Sequence, residues 1–230
     1  MWQLLSCVLA GCLAAVQPAS PGPLRLLFIG NSLTYTNDLP ALVAALGRAN
    51  GRAVLYEQVA GPNLALEDHW QQGEARHAIA RGVWDVVVLQ QGPSALPESR
   101  TQLVSYARRF ATEIRKAGAT PALLMVWPSR ARRGDFPGVS RSYTAAADAV
   151  EGILLPVGEA WREAWRKDSR LPLYGPDGFH PSALGTHLAA LVIYEALTGQ
   201  AAASAAGAGV TEEQLAVLHA AARAVLSRRR

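Results

Sequence analysis

The sequence predicts a three-layer α/β fold, in which helices cover both faces of a five-stranded parallel sheet. Two observations carry this prediction. Short apolar runs alternate with longer helix-periodic stretches, which is typical of a parallel sheet because its crossover connections are helices. Half of the 230 residues are hydrophobic and 17% are charged, which fits one compact domain and argues against disorder.

The predicted strands are apolar runs of five to eight residues that end near glycine, glutamine or proline. They cover residues 24–30, 53–60, 84–90, 121–127 and 153–157. Between the third and fourth runs, apolar residues recur at three- and four-residue steps over 103–114, which predicts an amphipathic helix. A similar stripe over 184–194 ends at Gly199, and Thr211 with Gln214 fits a capping box that opens the last helix.

The amino terminus is typical of an export signal. Residues 4–16 form an apolar run, too short to cross a hydrocarbon core of about 30 Å as a helix. Residues 9–12, Leu-Ala-Gly-Cys, resemble the bacterial lipobox, which implies lipidation of Cys12. We therefore predict a signal peptide over 1–11, a lipidated cysteine with a proline-rich tether over 12–23, and one domain over 24–230. No Lys or Arg precedes the apolar run, so a plain secretory signal stays open.

The charge distribution and the cysteine content indicate neither a nucleic-acid-binding surface nor a metal site. The net charge of +4 comes mostly from scattered arginines, which predicts a solvated surface rather than a nucleic-acid site. Both cysteines, Cys7 and Cys12, precede the predicted domain, and no His, Cys or Glu cluster has metal-ligand spacing. We predict no metal and no cofactor.

Two segments carry the residue types of nucleophilic catalysis. Ser32 directly follows the first predicted strand, where open α/β sheets bind ligands, although Gly30-Asn31-Ser32 would also suit an ordinary turn. A serine hydroxyl needs a base to accept its proton. His180 lies in a Gly/Pro-rich loop three residues after Asp177, close enough for the carboxylate to hold one ring nitrogen while the other faces the serine.

These segments resemble the first and last blocks of the SGNH (GDSL-like) hydrolases. Gly30-Asn31-Ser32-Leu33 is similar to the block Gly-Asp-Ser-Leu, and Asp177-x-x-His180 is similar to the last block, in the same order. The resemblance implies a flavodoxin-like α/β/α fold with Ser32 as nucleophile, His180 as base and Asp177 as its orienting partner. It also implies a serine esterase acting through an acyl-enzyme on a small-molecule or carbohydrate ester, with a short acyl or O-acetyl group.

The same resemblance implies an oxyanion hole formed by backbone N–H groups of Ser32 and Gly61. A third donor is normally the asparagine of a Gly-x-Asn block, and here the sequence departs, because Gln90-Gln91-Gly92-Pro93-Ser94 follows the third strand. A glutamine amide donates as an asparagine amide does, so we predict Gln90 or Gln91 as the donor, with Ser94 as the alternative in strict register. The other interpretation is that both glutamines only form hydrogen bonds to the backbone of the loop.

Other interpretations stay open. Residues 32–37 could cradle a cofactor phosphate, as in a flavodoxin-like binder, and the missing asparagine would suit a non-catalytic carbohydrate-binding module. No Gly-x-Ser-x-Gly elbow indicates an ordinary α/β-hydrolase. Weaker predictions concern a group of arginines, one tryptophan and the remaining histidines. An acidic sugar could contact Arg130, Arg132 and Arg133, although a solvated loop is the ordinary interpretation. Trp161 could form a wall of the site, although core packing is the more ordinary role for it. Structural roles are predicted for the other histidines, His69, His77, His187 and His219.

Overall fold

The computed structural model describes residues 22–203 and 210–228. Their centre is an all-parallel sheet with the strand order β2-β1-β3-β4-β5. The strands are β1 (Leu24–Gly30), β2 (Val54–Ala60), β3 (Val86–Leu89), β4 (Thr120–Leu124) and β5 (Ile153–Leu155). The prediction of a five-stranded parallel sheet is confirmed, with shorter third, fourth and fifth strands than the apolar runs suggested.

Burial explains the composition of each strand. The three strands β1, β3 and β4 are covered on both faces and consist almost entirely of buried apolar residues. By contrast, β2 lies at the edge of the sheet and exposes Leu55, Glu57 and Gln58. At the other edge β5 ends at Leu155 because Pro156 has no N–H to donate and the next helix begins at Val157.

Helices cover both faces of this sheet. They are α1 (Ser32–Tyr35), α2 (Leu39–Ala49), α3 (Leu66–Gln72), α4 (Glu74–Arg81), α5 (Pro97–Lys116), α6 (Phe136–Ala149), α7 (Val157–Lys167), α8 (Ala183–Thr198) and α9 (Glu212–Ser227). On one face α5 packs against α3, α4 and α6, and on the other α8 packs against α2, α7 and α9. The three-layer α/β/α architecture is thus confirmed.

The predicted helix signals have their expected roles. The apolar stripe over 103–114 is the buried face of α5, and the stripe over 184–194 belongs to α8, which is buried almost all round. Gly199 ends α8 in the left-handed conformation, and the capping box of Thr211 and Gln214 opens α9.

The predicted signal peptide, the lipidation site at Cys12 and most of the tether lie outside the described residues. Within 22–203 and 210–228, no helix combines the length and the apolar character needed to cross a membrane.

Candidate active site

Ser32 is the first residue of α1, immediately beyond the carboxyl end of β1. Asn31 caps this short helix, since its side-chain oxygen accepts a hydrogen bond from the Leu33 N–H at 3.1 Å. The strand must end in glycine here. A Cβ atom on Gly30 would lie 2.4 Å from Thr34 Oγ1 and 2.5 Å from Gln90 Oε1, closer than real Cβ contacts occur.

The loop before α8 orients His180. The Oδ1 atom of Asp177 accepts hydrogen bonds from the backbone N–H groups of Phe179 (2.9 Å) and His180 (3.0 Å), and its Oδ2 atom lies 2.5 Å from His180 Nδ1. Gly178, with a φ of 71°, makes the tight turn that this geometry requires. These bonds, with that to the His180 imidazole first, lower the pKa of the Asp177 carboxyl to about 2.

The fold brings Ser32 and His180 together although 148 residues separate them. His180 Nε2 lies 2.8 Å from Ser32 Oγ, so one hydrogen-bonded chain runs from the serine oxygen through the imidazole to Asp177. Ser32 is nearly buried, whereas the imidazole is about one-third exposed. In chemical terms, a base lies within proton-transfer distance of a hydroxyl group, and a carboxylate holds the base in one orientation.

The segment that follows β4 supports the loop that carries His180. The indole N–H of Trp127 donates to the Phe179 carbonyl at 3.0 Å, and the Arg130 N–H donates to the Gly178 carbonyl at 2.7 Å. Trp161 is fully buried and stacks on Trp127 with ring centroids 3.8 Å apart. Its predicted structural role is therefore confirmed, because the ring packs against Trp127 in the core and does not form a wall of the site.

The Gln90 side chain holds the end of the first strand together, which differs from its predicted role as oxyanion donor. This side chain is fully buried, and its Oε1 accepts from the Asn31 N–H (2.8 Å) and from Thr34 Oγ1 (2.8 Å). Its Nε2 donates to Asn31 Oδ1 (3.0 Å) and to the Gln91 carbonyl (2.6 Å). The amide cannot be reversed, because the Asn31 N–H requires an oxygen opposite it. Both amide hydrogens are thus committed, which argues against the predicted role of Gln90 as oxyanion donor.

Gly61 also departs from the prediction. Its N–H donates to the Gly30 carbonyl at 3.3 Å and so continues the pairing of β2 with β1 instead of facing the serine. The same carbonyl accepts the buried Nε2–H of His69 at 2.8 Å. In this geometry Gly61 lends no free donor to an oxyanion, because its hydrogen is already used at the strand end.

Two predicted donors keep a free hydrogen. The backbone N–H of Ser32 has no partner among residues 22–203 and 210–228. The Gln91 amide accepts from the Leu66 N–H and donates one hydrogen to Ser94 Oγ at 2.8 Å, which leaves its second hydrogen available. Ser94 Oγ donates in turn to the Gly92 carbonyl. Of the three side chains weighed at this strand end, Gln91 is the one with a donor to spare.

A cavity of about 310 Å³ opens beside the serine. Its lining combines polar with apolar side chains: Asn31, Ser32, Asn63, Gln91, Ser94, Ser99 and Gln102 on the one hand, and Leu64, Ala65, Pro93 and the ring of Phe179 on the other. A second cavity of about 240 Å³ shares Ser94, Ser99 and Phe179 with it and extends to Arg132 and Asp135. The site is therefore a shallow two-part cleft with Phe179 between its halves.

The three arginines of the loop after β4 have separate environments. Arg130 lies over the ring of Tyr174 and Arg133 over the ring of Trp165, with guanidinium-to-centroid distances of 5.4 and 3.9 Å. Arg132 lines the second cavity. The arginine cluster therefore does not form one anion-binding patch.

Among residues 22–203 and 210–228, no other histidine forms a hydrogen bond with the serine hydroxyl. His69, His187 and His219 are buried, and His77 is exposed on α4. Burial lowers the pKa of His69 and of His187, which keeps both imidazoles neutral. The alternative phosphate cradle over 32–37 is also unsupported, because the hydroxyl groups of Ser32 and Thr34 already bond to His180 and Gln90.

Solved structures share this architecture. An SGNH hydrolase from Slackia heliotrinireducens, so assigned provisionally, is 27% identical with a TM-score of 0.65, over 76% of this chain and 100% of its own. A DUF4886 family protein from Bacteroides uniformis is 19% identical with a TM-score of 0.77, over 90% and 96%. A mutant of Axe2, an acetyl-xylooligosaccharide esterase from a Geobacillus, is 16% identical with a TM-score of 0.60, over 80% and 99%. No family model and no curated protein sequence matches the chain.

The fold and the hydrogen-bonded serine at the end of its first strand define the class of the protein, a hydrolase with a three-layer α/β/α architecture. Within that class, the chain is similar to the SGNH hydrolases, as its likeness to the Slackia heliotrinireducens protein indicates.

Proposed function

We propose that this protein is a serine esterase in which Ser32 is the nucleophile, His180 the general base and acid, and Asp177 the group that orients the imidazole. The observation that carries the proposal is the continuous chain of hydrogen bonds from Ser32 Oγ through both ring nitrogens of His180 to the carboxylate. This is the arrangement that activates a serine hydroxyl at neutral pH.

In the proposed first half-reaction, Ser32 Oγ attacks the ester carbonyl while His180 Nε2 accepts the hydroxyl proton. The carbonyl oxygen becomes an oxyanion, which the free N–H of Ser32 and the spare amide hydrogen of Gln91 are available to stabilise. Collapse of this intermediate breaks the bond to the alcohol oxygen, which leaves with the proton from His180. The acyl group is then esterified to Ser32.

In the second half-reaction, water attacks the acyl carbonyl and gives its proton to His180 Nε2. The intermediate collapses, Ser32 Oγ takes that proton back, and the carboxylic acid leaves. The imidazolium formed in each half-reaction faces the Asp177 carboxylate, whose pKa of about 2 keeps it ionised throughout the neutral range.

The cleft favours a short acyl group on a polar alcohol such as a carbohydrate. The amide and hydroxyl side chains in its lining suit a hydroxyl-rich substrate, and the cavity of about 310 Å³ beside Ser32 lies at the small end of the range of ligand pockets. The ring of Phe179 offers a flat apolar surface between the two cavities, and the structural relative named as an acetyl-xylooligosaccharide esterase acts on a substrate of this class.

We also propose that the protein is exported and held at a membrane by lipidated Cys12. The support is the short apolar run over 4–16 and the lipobox-like Leu-Ala-Gly-Cys within it.

The esterase proposal is tested with p-nitrophenyl esters of increasing acyl length and with a fluorophosphonate probe. Ser32→Ala and His180→Ala should each lower kcat/KM by about a thousandfold or more, and the double variant should be hardly worse, because the residues act as one unit. Ser105→Ala, an exposed serine on α5, is the matched control and should stay fully active. Acetate should be hydrolysed faster than octanoate.

Full activity of Ser32→Ala, with the probe attached to another residue, would refute the catalytic assignment. Wild-type protein that binds acetylated oligosaccharides but hydrolyses none of these esters would instead favour the non-catalytic carbohydrate-binding module.

A further inference from the structure

Asn37 has an uncommon backbone conformation close to the serine. It lies in the 3-10 turn Thr36–Asp38 between α1 and α2, with a φ of 55°, and Asp38 follows with a φ of 52°. Two successive non-glycine residues in the left-handed region cost on the order of 1 kcal/mol each. Asparagine tolerates this region better than most residues, and contacts elsewhere must hold the turn in place.

The Asn37 side chain supplies those contacts. Its Nδ2 atom donates to the Pro181 carbonyl and to Thr186 Oγ1, both at 2.9 Å. The Pro181 carbonyl can only accept, which fixes the orientation of the amide. Thr186 Oγ1 passes its own hydrogen to the Ser182 carbonyl at 3.0 Å, so it accepts from Asn37. One amide hydrogen therefore connects the turn after Ser32 to the residue next to His180, and the other connects it to the first turn of α8.

We propose that Asn37 is a positioning residue that holds His180 opposite Ser32, an inference that rests on the proposed esterase function. The two segments meet directly at the bond between Ser32 Oγ and His180 Nε2. The contact of Asn37 with Pro181 joins the same segments again, five residues after the serine and one residue after the histidine. Only the first of these contacts takes part in the reaction. The Asn37 contact keeps its partners while protons move between the serine and the imidazole.

This second contact matters most in the acyl-enzyme. Once Ser32 Oγ is esterified it carries no hydrogen to donate to His180, yet the imidazole must stay in place to accept a proton from the attacking water. The bonds from Asn37 to Pro181 and Thr186 remain intact at this stage and hold the loop. Loss of Asn37 should therefore slow hydrolysis of the acyl-enzyme more than its formation.

The test compares Asn37→Gly and Asn37→Asp with the wild type and with Asp38→Asn as the matched control. Glycine adopts a positive φ freely, so Asn37→Gly keeps the turn and removes only the two hydrogen bonds. Aspartate replaces the donor by an acceptor that faces the Pro181 carbonyl. In Asp38→Asn the left-handed residue next door changes, and its side-chain oxygen can still cap α2 at Ala41.

We expect Asn37→Gly to lower kcat for p-nitrophenyl acetate about tenfold and to lower KM in nearly the same proportion, so that kcat/KM changes less than twofold, because a slower second half-reaction lowers both constants whereas acylation alone sets kcat/KM. A burst of p-nitrophenol, larger than in the wild type, should report the accumulated acyl-enzyme. Asn37→Asp should be slower still, and Asp38→Asn should match the wild type.

The inference is overturned if Asn37→Gly keeps kcat within twofold of the wild type, or if its loss equals the fraction of unfolded protein measured by circular dichroism. It is also overturned if kcat falls without a larger burst. The Ser32→Ala variant distinguishes failure of the esterase proposal from failure of the Asn37 proposal. An active Ser32→Ala refutes the esterase mechanism itself. An inactive Ser32→Ala beside a fully active Asn37→Gly refutes the role of Asn37 alone.

Discussion

Gln90 gives the sharpest test of how the site is held together. In Gln90→Ala, the buried Asn31 N–H loses its acceptor, and an unpaired buried group costs about 1–3 kcal/mol. The buried Thr34 hydroxyl also loses its acceptor, whereas Asn31 Oδ1 and the Gln91 carbonyl each keep another donor. Leu33 N–H still donates to Asn31 Oδ1, and the Tyr143 hydroxyl still donates to the Gln91 carbonyl.

The cavity left by the removed side-chain atoms adds about 1–2 kcal/mol, so the free energy of unfolding should fall by about 3 kcal/mol. For a domain of this size that corresponds to a Tm lower by roughly 6–12 °C. The activity should fall with the stability, by about 10- to 100-fold in kcat, because Asn31 and Ser32 are no longer held in register. Gln90→Glu should be at least as damaging, since its second oxygen would face two acceptors, Asn31 Oδ1 and the Gln91 carbonyl.

The assay pairs thermal unfolding, followed by circular dichroism, with steady-state hydrolysis of p-nitrophenyl acetate. Gln58→Ala, an exposed glutamine on the edge strand, is the control and should leave both the Tm and kcat unchanged. A Gln90→Ala protein with the Tm of the wild type and a kcat about a hundredfold lower would refute this reasoning, because that result is the mark of an oxyanion donor.

Three further predictions follow from the structure and the sequence. Gly30→Ala should lower the Tm and the activity together, because its Cβ would overlap Thr34 and Gln90, whereas Gly134→Ala, with no atom within 4 Å of its Cβ, should change neither. The pKa of Asp177 lies below its ordinary value of 3.8, so its contribution to folding is present above that pH and lost as the pH falls towards about 2. The difference in Tm between the wild type and Asp177→Asn should therefore shrink in that acidic range and stay constant near neutral pH. Finally, wild-type protein should fractionate with membranes and incorporate labelled palmitate, and Cys12→Ser should do neither; unlabelled, freely soluble wild-type protein would contradict lipidation.

The sheet and its covering helices follow from local patterns. Apolar runs such as 24–30 are buried on both faces in any parallel sheet, and the stripe over 103–114 can bury only one side of a helix. Patterns of this kind depend on neighbours within a few residues along the chain. The pairing of Ser32 with Asp177 and His180 could also be predicted from the sequence. A serine nucleophile needs a base, so the two blocks have a catalytic role only when the fold brings them together.

The sequence by itself therefore determined the fold class, the strand segments and the residues of the proposed triad. Tertiary structure alone decided the state of each donor around the serine: the committed amide of Gln90, the N–H of Gly61 paired with Gly30, the spare hydrogen of Gln91, and the bridge from Asn37 to Pro181. A hydrogen bond depends on the distance and direction between two atoms. Here Asn31 and Thr34, which bond to the Gln90 side chain, lie 59 and 56 residues from it, and Pro181 lies 144 residues from Asn37. The residue types allow a donor at each of these positions, but only the folded chain determines where each hydrogen points.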